Sequence, residues 1–400
     1  MSEWQETILE DIASFKTGKL NSNAAVQKGK YPFFTCSPET YLIDEYAFDC
    51  SAILLAGNNA NAVYPIKKYN GKFNAYQRTY VISIKNDKNF NLDFLYYYLT
   101  FKINYLKDIS QGSATKFLTA VILNNLQVSN PPLEEQKAIA AVLSCLDGKI
   151  ENLRKQNETL EAIAQTLFKH WFIDFEFPND EGKPYKSSGG AMMPSERGEI
   201  PTGWQVGTLK NIVEVFTGFP FKSNLYSFDD GIRVVRGENV SLGFLRWDTE
   251  KKWNLGIEEY QEYLLQENDY VIGMDGSRVG KNRTIIFKSD LPLILAQRVA
   301  RLRAKKDHFQ SYTNILLMKN QFQKYVDFVK TGTSIPHISS TQIKDFECLI
   351  PDSKTLSLFD KIYKPWSSKV NNIKEQIQTL TKTRDTLLPK LMSGKLRVQD

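Results

Sequence analysis

The chain has 400 residues, 42% hydrophobic and 24% charged, with a formal net charge of +6. At roughly 150 residues per domain that length suggests two or three domains, and the ordinary composition excludes a wholly disordered chain. No run of about 18 apolar residues is present, so no membrane-spanning helix is expected.

The start, Met1-Ser2-Glu3-Trp4, has neither the basic residue nor the apolar core of a secretory signal, so none is expected. Cys36, Cys50, Cys145 and Cys348 lie far apart with no CxxC pair, and His170, His308 and His337 are equally scattered. Neither a metal site nor a disulfide framework is expected, which fits a cytoplasmic chain.

Read in order, the sequence occurs twice. At a shift of 200, Trp4-Gln5 falls on Trp204-Gln205, Leu9 on Leu209, Ile12 on Ile212 and Thr17-Gly18 on Thr217-Gly218. The shift then becomes 220: Gln77-Arg78 falls on Gln297-Arg298, Leu95 on Ile315, Leu106 on Val326, Gly112 on Gly332, Leu126 on Phe346 and Pro131 on Pro351. The second copy therefore carries additional residues between Gly218 and Gln297. A period of this size marks a duplicated module, not a solenoid. Each copy opens with a Trp, a short strand or turn and Thr-Gly. Strand-like runs follow, such as Ala52-Ile53-Leu54-Leu55 and Tyr270-Val271-Ile272, broken by Gly and Asn turns. An amphipathic helix is predicted over roughly 92–109 and again over 312–330. A Gly-Ser/Thr segment (Gly112-Ser113, Gly332-Thr333) then leads to Pro131 or Pro351, and a long helix closes each copy.

In the closing helices Ile139, Leu143, Leu146, Ile150, Leu153, Asn157, Leu160, Ala164, Leu167 and Trp171 alternate steps of four and three. Phe359, Tyr363, Trp366, Val370, Ile373, Ile377, Leu380, Arg384, Leu387 and Leu391 repeat the pattern 220 residues later. Such spacing keeps one narrow apolar seam facing a partner helix, the coiled-coil condition, over about 50 Å. Two such helices in one chain pair most simply with each other. Asn157 and Arg384 stand at seam positions, where polar residues either fix register or reach solvent at a frayed place. Pro365 and Pro389 each remove a backbone donor, which predicts a second helix interrupted and less straight than the first. Between the copies, 178–203 has linker composition, with Pro178, Gly182, Pro184, Ser187-Ser188-Gly189-Gly190, Pro194, Gly198 and Pro201.

Basic residues cluster: nine stand against Asp290 between Arg278 and Lys306, and nine against Glu375 and Asp385 between Lys361 and Arg397. That is an electrostatic footprint for nucleic acid. Asn130-Pro131-Pro132-Leu133 approaches the Asn-Pro-Pro-aromatic motif with which amino-methyltransferases hold a flipped base. Its fourth residue is Leu, however, the second copy has Leu349-Ile350-Pro351-Asp352, and no Gly-rich nucleotide loop accompanies it. A Pro turn opening a helix, with Glu134 and Glu135 in the first turn, is the simpler expectation. Gly276-Ser277-Arg278-Val279-Gly280-Lys281-Asn282 departs from a P-loop, because three residues rather than four precede Gly-Lys and Asn follows. It reads as a basic turn between strands that suits a phosphate.

The scattered histidines support no catalytic triad and the carboxylates no distinct pair, so the chain reads as a binder. Arg and Lys meet phosphates and guanine edges, and Asn and Gln meet adenine. Candidate contacts are Asn58, Asn59, Asn61, Lys67, Lys68, Lys72 and Arg78 in the first copy and Arg278, Lys281, Arg283 and Arg298 in the second. The repeated Gln-Arg pair also suits a shared internal hydrogen-bond role.

The chain resembles, along nearly its whole length, the specificity (S) subunits of type I restriction–modification systems. The motifs that carry the resemblance are Pro131-Pro132-Leu133-Glu134-Glu135-Gln136-Lys137-Ala138-Ile139-Ala140 with the heptads after it, Trp171-Phe172-Ile173-Asp174-Phe175-Glu176-Phe177-Pro178, Ile200-Pro201-Thr202-Gly203-Trp204, and Leu388-Pro389-Lys390-Leu391-Met392-Ser393-Gly394. It implies an α+β fold: two similar mixed α/β target-recognition domains joined by two long helices in an antiparallel coiled coil, duplicated about a pseudo-twofold axis. The division it implies is 1–130 and 204–350 for the two domains, 131–177 and 351–400 for the helices, and 178–203 for a linker. It further implies a non-enzymatic subunit that reads a bipartite, asymmetric double-stranded DNA site. Two methyltransferase (M) subunits and restriction (R) subunits are the implied partners, with S-adenosylmethionine, ATP and Mg on those partners only. Paired readers on antiparallel helices match the backbone symmetry of duplex DNA, and the helices would then set the spacer between half-sites. Two other readings of the residues stay open: a single-chain adenine methyltransferase using Asn130-Pro131-Pro132, and a coiled-coil interaction protein that does not bind DNA.

Overall fold

The computed structural model describes residues 4–59, 64–112 and 116–398. The chain divides into two compact units, Met1–Asn152 with Ile377–Asp400, and Leu153–Gln376. Each unit thus takes one part of each long helix.

In the first unit six strands form a mixed sheet in the order Ala13–Thr17, Thr79–Ile84, Phe48–Ala56, Ile66–Ala75, Tyr31–Phe34, Thr40–Ile43. The apolar run 52–56 is buried throughout because both faces of its strand are covered. Ile53 and Leu55 pack under the helix Leu92–Phe101, while Ala52 and Leu54 pack with Phe34 and Phe73.

The second unit follows the same path with a break. Four strands run in the order Val213–Thr217, Val299–Ala304, Tyr270–Gly273, Arg283–Ile285, and three more in the order Lys252–Trp253, Ile232–Val235, Leu293–Leu295. Where the first unit has the single strand Ile66–Ala75, the second has Arg283–Ile285 and Leu293–Leu295 with the turn Lys288–Asp290 between them. The predicted helices at 92–109 and 312–330 are each two pieces, Leu92–Phe101 with Ile103–Asp108, and Asp307–Met318 with Asn320–Val329. In the second pair the break falls at Lys319, whose backbone is extended. Residues of linker composition at 178–203 pair as the hairpin Met192–Ser195 and Gly198–Pro201.

The long helices are Leu133–Phe172 and Ser353–Met392, 40 residues each. The second runs unbroken through Pro365 and Pro389, which corrects the predicted interruption. Both prolines are exposed, as are Lys361 and Asp385 four residues before them, so the carbonyls that lose a donor face water. In the first unit Ile139, Leu143, Leu391 and Met392 share one core with Leu9, Phe94 and Leu126. Ile150 is buried as well, and Leu146, Ile377, Leu380 and Leu387 are half-buried. In the second unit Ala164, Trp171, Phe359, Tyr363 and Val370 share a core, Leu153 and Ile373 are buried, and Leu160 and Leu167 pack at its edge. In each unit the start of one helix therefore lies with the end of the other, which is antiparallel pairing.

Polar contacts fix the register. Arg384 Nη1 donates to Asp147 at 2.8 Å, and Trp366 Nε1 donates to the Leu160 carbonyl at 2.7 Å. A partly exposed ion pair contributes about 0–1 kcal/mol and a buried leucine about 1.5–3 kcal/mol, so packing holds the helices and the polar groups choose the register. Asn157, the other polar seam residue, is half-buried.

The repeated tryptophans close each unit. Trp4 Nε1 donates to Glu135 at 3.2 Å, on the first turn of the first helix, while Arg397, just beyond the second helix, donates to the same carboxylate at 2.7 Å and lies 5.1 Å over the Trp4 ring. Trp204 Nε1 donates to Asp352 at 3.0 Å, and Asp352 caps the second helix by accepting from Thr355 N at 2.9 Å. Phe177, beyond the end of the first helix, stacks on Trp204 at 5.2 Å. Burial alone would raise the Asp352 carboxyl pKa, but hydrogen bonds from Thr355 and Trp204 hold it below the usual range.

Because Leu391 is 2% exposed within the first unit's core, Leu391→Ala lowers that unit's stability by about 2–4 kcal/mol. Hydrogen exchange will then accelerate across 52–56 and 79–84 while 270–273 is unchanged; equal acceleration in both units would contradict the division.

Candidate nucleic-acid interface

The duplicated Thr-Gly and Gln-Arg pairs meet in space. Gly18 passes so close to Ala75 that an added Cβ would lie 1.7 Å from its carbonyl oxygen, and at Gly218 the same atom would lie 2.2 Å from that of Ala296. Only glycine fits either crossing. Beyond it the Gln77 N–H donates to Leu20 O at 2.9 Å, and the Gln297 N–H to Phe219 O at 2.8 Å. The arginine carbonyl then accepts from the end of the central strand: Gly57 N to Arg78 O and Met274 N to Arg298 O, both at 2.8 Å. The next connection repeats too. Leu118 N donates to Gly57 O at 2.9 Å, and Ile338 N donates to Met274 O at 2.8 Å. Gln111 and Phe117 exchange backbone bonds at 3.0 and 2.8 Å, as Thr331 and His337 do at 2.9 and 2.8 Å. Each unit thus presents one rim made of the Gln-Arg turn, the end of a buried strand and a closed loop.

The scaffold is shared and the side chains differ. In the first unit Arg78 and Gln77 are exposed, the Arg78 guanidinium lies 5.5 Å from the Phe117 ring centroid, and Asn58 and Asn59 pair with Phe117 and Lys116. Asn58 Oδ1 also accepts from Cys36 Sγ at 3.1 Å. Asn61 lies outside the described residues. In the second unit Arg298 is exposed, holds a left-handed backbone (φ 72°), and stands 3.7 Å from Asp275. Arg278 and Lys281 are exposed on the turn between Tyr270–Gly273 and Arg283–Ile285, and Gly276 N ties that turn to Pro336 O at 3.0 Å.

Other candidates are placed elsewhere or consumed. Lys67 Nζ donates to Glu39 O at 2.8 Å and Thr40 Oγ1 at 3.0 Å, and burial lowers its pKa. Lys68 pairs with Asp93 at 2.6 Å, and Lys72 lies 4.7 Å over the Tyr46 ring. Arg283 corrects the expectation of a surface phosphate contact. It is 3% exposed and donates to Gln323 Oε1 at 2.9 Å, Met318 O at 3.3 Å and the Gly280 carbonyl. Its part is to hold the basic turn from within.

The basic run 278–306 is likewise partly taken up inside the fold. Arg301 is buried and donates to Glu262 O at 3.0 Å, and Arg303 makes two 2.7 Å bonds to Asp269. Exposed charge remains at Arg278, Lys281, Lys288, Arg298, Lys305 and Lys306. In the C-terminal cluster Arg384 and Arg397 are used in helix pairing, and Lys374 Nζ sits 3.6 Å from the Phe287 ring centroid, where burial lowers its pKa. Sequence reading missed Lys116, Phe117, Thr331 and His337, although the offset of 220 that aligned Gly112 with Gly332 also aligns Phe117 with His337 and Gln111 with Thr331.

Asn130 is not available to hold a base. Its Oδ1 accepts from Gln136 Nε2 at 3.1 Å, and Gln136, fully buried, also donates to Pro131 O at 2.9 Å and accepts from Asn91 N at 2.8 Å. Asn-Pro-Pro here opens the first long helix, with Glu134 and Glu135 in its first turn. Among the described residues no group of three or more metal-ligating side chains occurs, and no helix is long and apolar enough to cross a membrane.

Comparison with known proteins agrees with the duplicated geometry. The family described as type I restriction modification DNA specificity domain matches twice, over residues 1–162 and 201–379. The MjaIX type I restriction enzyme specificity subunit of Methanocaldococcus jannaschii is 32% identical over 311 residues, 77% of this chain and 70% of that protein. The EcoDI specificity subunit of Escherichia coli is 36% identical over 202 residues, 50% of this chain and 44% of its own. The crystal structure of a type I S subunit from M. genitalium shares the fold, with a TM-score of 0.60 at 17% identity over 97% of this chain and 96% of that one. With the helix-pairing motifs and both rims in place, the chain belongs to the type I restriction–modification specificity subunits.

Proposed function

We propose that each Gln-Arg rim reads one half of a bipartite duplex DNA site, and that the chain is the non-catalytic subunit that directs methyltransferase and restriction subunits to it. The carrying observation is that one arginine-bearing turn, closed by the same backbone bonds, recurs in both units while its neighbours differ. A common scaffold gives each unit the same approach to the DNA backbone, and unlike side chains give unlike half-sites. The first rim offers amides beside Arg78; the second is richer in cations, with Arg278, Lys281 and Arg298. S-adenosylmethionine, ATP and Mg fall to the partners in this reading, and two methyltransferase subunits match the duplicated helix ends. The adenine-methyltransferase reading loses its residue, because Asn130 is held by Gln136.

In the assembled complex, Arg278→Ala and Lys281→Ala each reduce the slope of log K against log salt by about one. Arg283→Met leaves the slope unchanged and lowers thermal stability by about 1–3 kcal/mol, since it strips buried acceptors of their donor. Unchanged slopes for the first two variants remove that turn from the DNA. Removing one heptad from both long helices, about 10 Å at 1.5 Å per residue, shifts the preferred spacer by about three base pairs. A methylation profile that kept the original spacer would contradict the helices' role in setting it.

A further inference from the structure

We infer that Ile335 is a specificity-determining residue of the second rim and that it reads the 5-methyl group of a thymine in the major groove. The inference rests on the DNA-reading function proposed above. Ile335 is 66% exposed in the loop between Thr331 and His337. Single exposed apolar residues are common on proteins, so its setting carries the argument. The loop is pinned at both ends. Thr331 and His337 exchange two backbone hydrogen bonds, and their side chains meet through Oγ1 and Nε2 at 3.0 Å. Gly332 (φ 88°) permits the closure, since a Cβ there would lie 2.5 Å from the Ile335 carbonyl oxygen. The neighbouring Pro336 carbonyl accepts from Gly276 N, so Ile335 is held next to the turn that carries Arg278 and Lys281.

An isoleucine is stiff at χ1. On a loop already closed it loses little freedom on contact, which makes it an economical apolar probe. The exposed cations of the same rim, Arg278, Lys281 and Arg298, favour a polyanion with an apolar feature over a wholly apolar surface. In duplex DNA that feature is the thymine methyl, displayed only in the major groove. The phosphates are then met by the cations, and sequence information comes from the isoleucine.

The test uses the assembled complex and a duplex bearing its mapped site, with each thymine replaced in turn by deoxyuridine, which lacks only that methyl. The wild-type complex will bind one such duplex about fourfold more weakly, the value of one buried methyl group. Ile335→Ala will lose a similar factor on the thymine duplex and be indifferent to deoxyuridine at that position, while Ile335→Val keeps part of the discrimination. Thermal unfolding of Ile335→Ala will match wild type, since the side chain is exposed. The inference is overturned if no deoxyuridine weakens wild-type binding, if Ile335→Ala keeps the discrimination, or if Ile335→Ala weakens binding to all sequences equally, as a non-specific wedge would. Each of these leaves the predicted reduction in salt slope for Arg278→Ala and Lys281→Ala in place, whereas slopes equal to wild type count against the DNA-reading rim itself.

Discussion

Each unit depends on a tryptophan that ties the start of one long helix to the end of the other. Trp4 shares Glu135 with Arg397, and Trp204 lies between the cap residue Asp352 and the stacked Phe177. An indole suits the place because it buries a large apolar area and still presents one N–H to an acid. The consequence is that neither sequence copy closes a unit alone. The first unit takes Leu391 and Met392 from the end of the chain, and the second takes Phe168, Trp171 and Phe172 from the helix that the first copy began. Motifs such as Trp171–Pro178 and Leu388–Gly394 are thus the closing pieces of units that lie elsewhere in the sequence.

This exchange leaves the two rims free to differ in their side chains. Their backbone is set by a glycine crossing, a strand end and a pair of closing backbone bonds, each found in both units. Rigid scaffold with variable loops is the general arrangement by which a fold carries changing specificity. The rim arginines, Arg78 and Arg298, combine a fixed carbonyl with an exposed guanidinium.

Much of this was legible in the sequence. The heptads, the doubled Trp and Thr-Gly, the matched Gln-Arg and the turn at 276–282 all follow from local pattern and spacing. What was not legible depends on position in space. The basic run 278–306 looks like one patch in line, yet Arg301 stands on a strand covered on both faces and Arg283 lies beneath the turn it was expected to decorate. Pro365 and Pro389 read as breaks, yet both stand on the wet face of a helix that continues through them. Residues 178–203 read as a linker by composition, while Tyr185 stacks on Phe177 at 4.5 Å as part of the Trp204 surround. The sharing of both helices by both units is a tertiary fact that no local period encodes.

In the proposed function two structurally equivalent rims address two different half-sites. It is tested most directly by placing a photo-cross-linking amino acid at position 78 or at position 298 and mapping the attached nucleotides in the assembled complex on its own target. Position 78 will attach to one half-site and position 298 to the other. Attachment of both to the same half-site, or attachment only within the spacer, would contradict it.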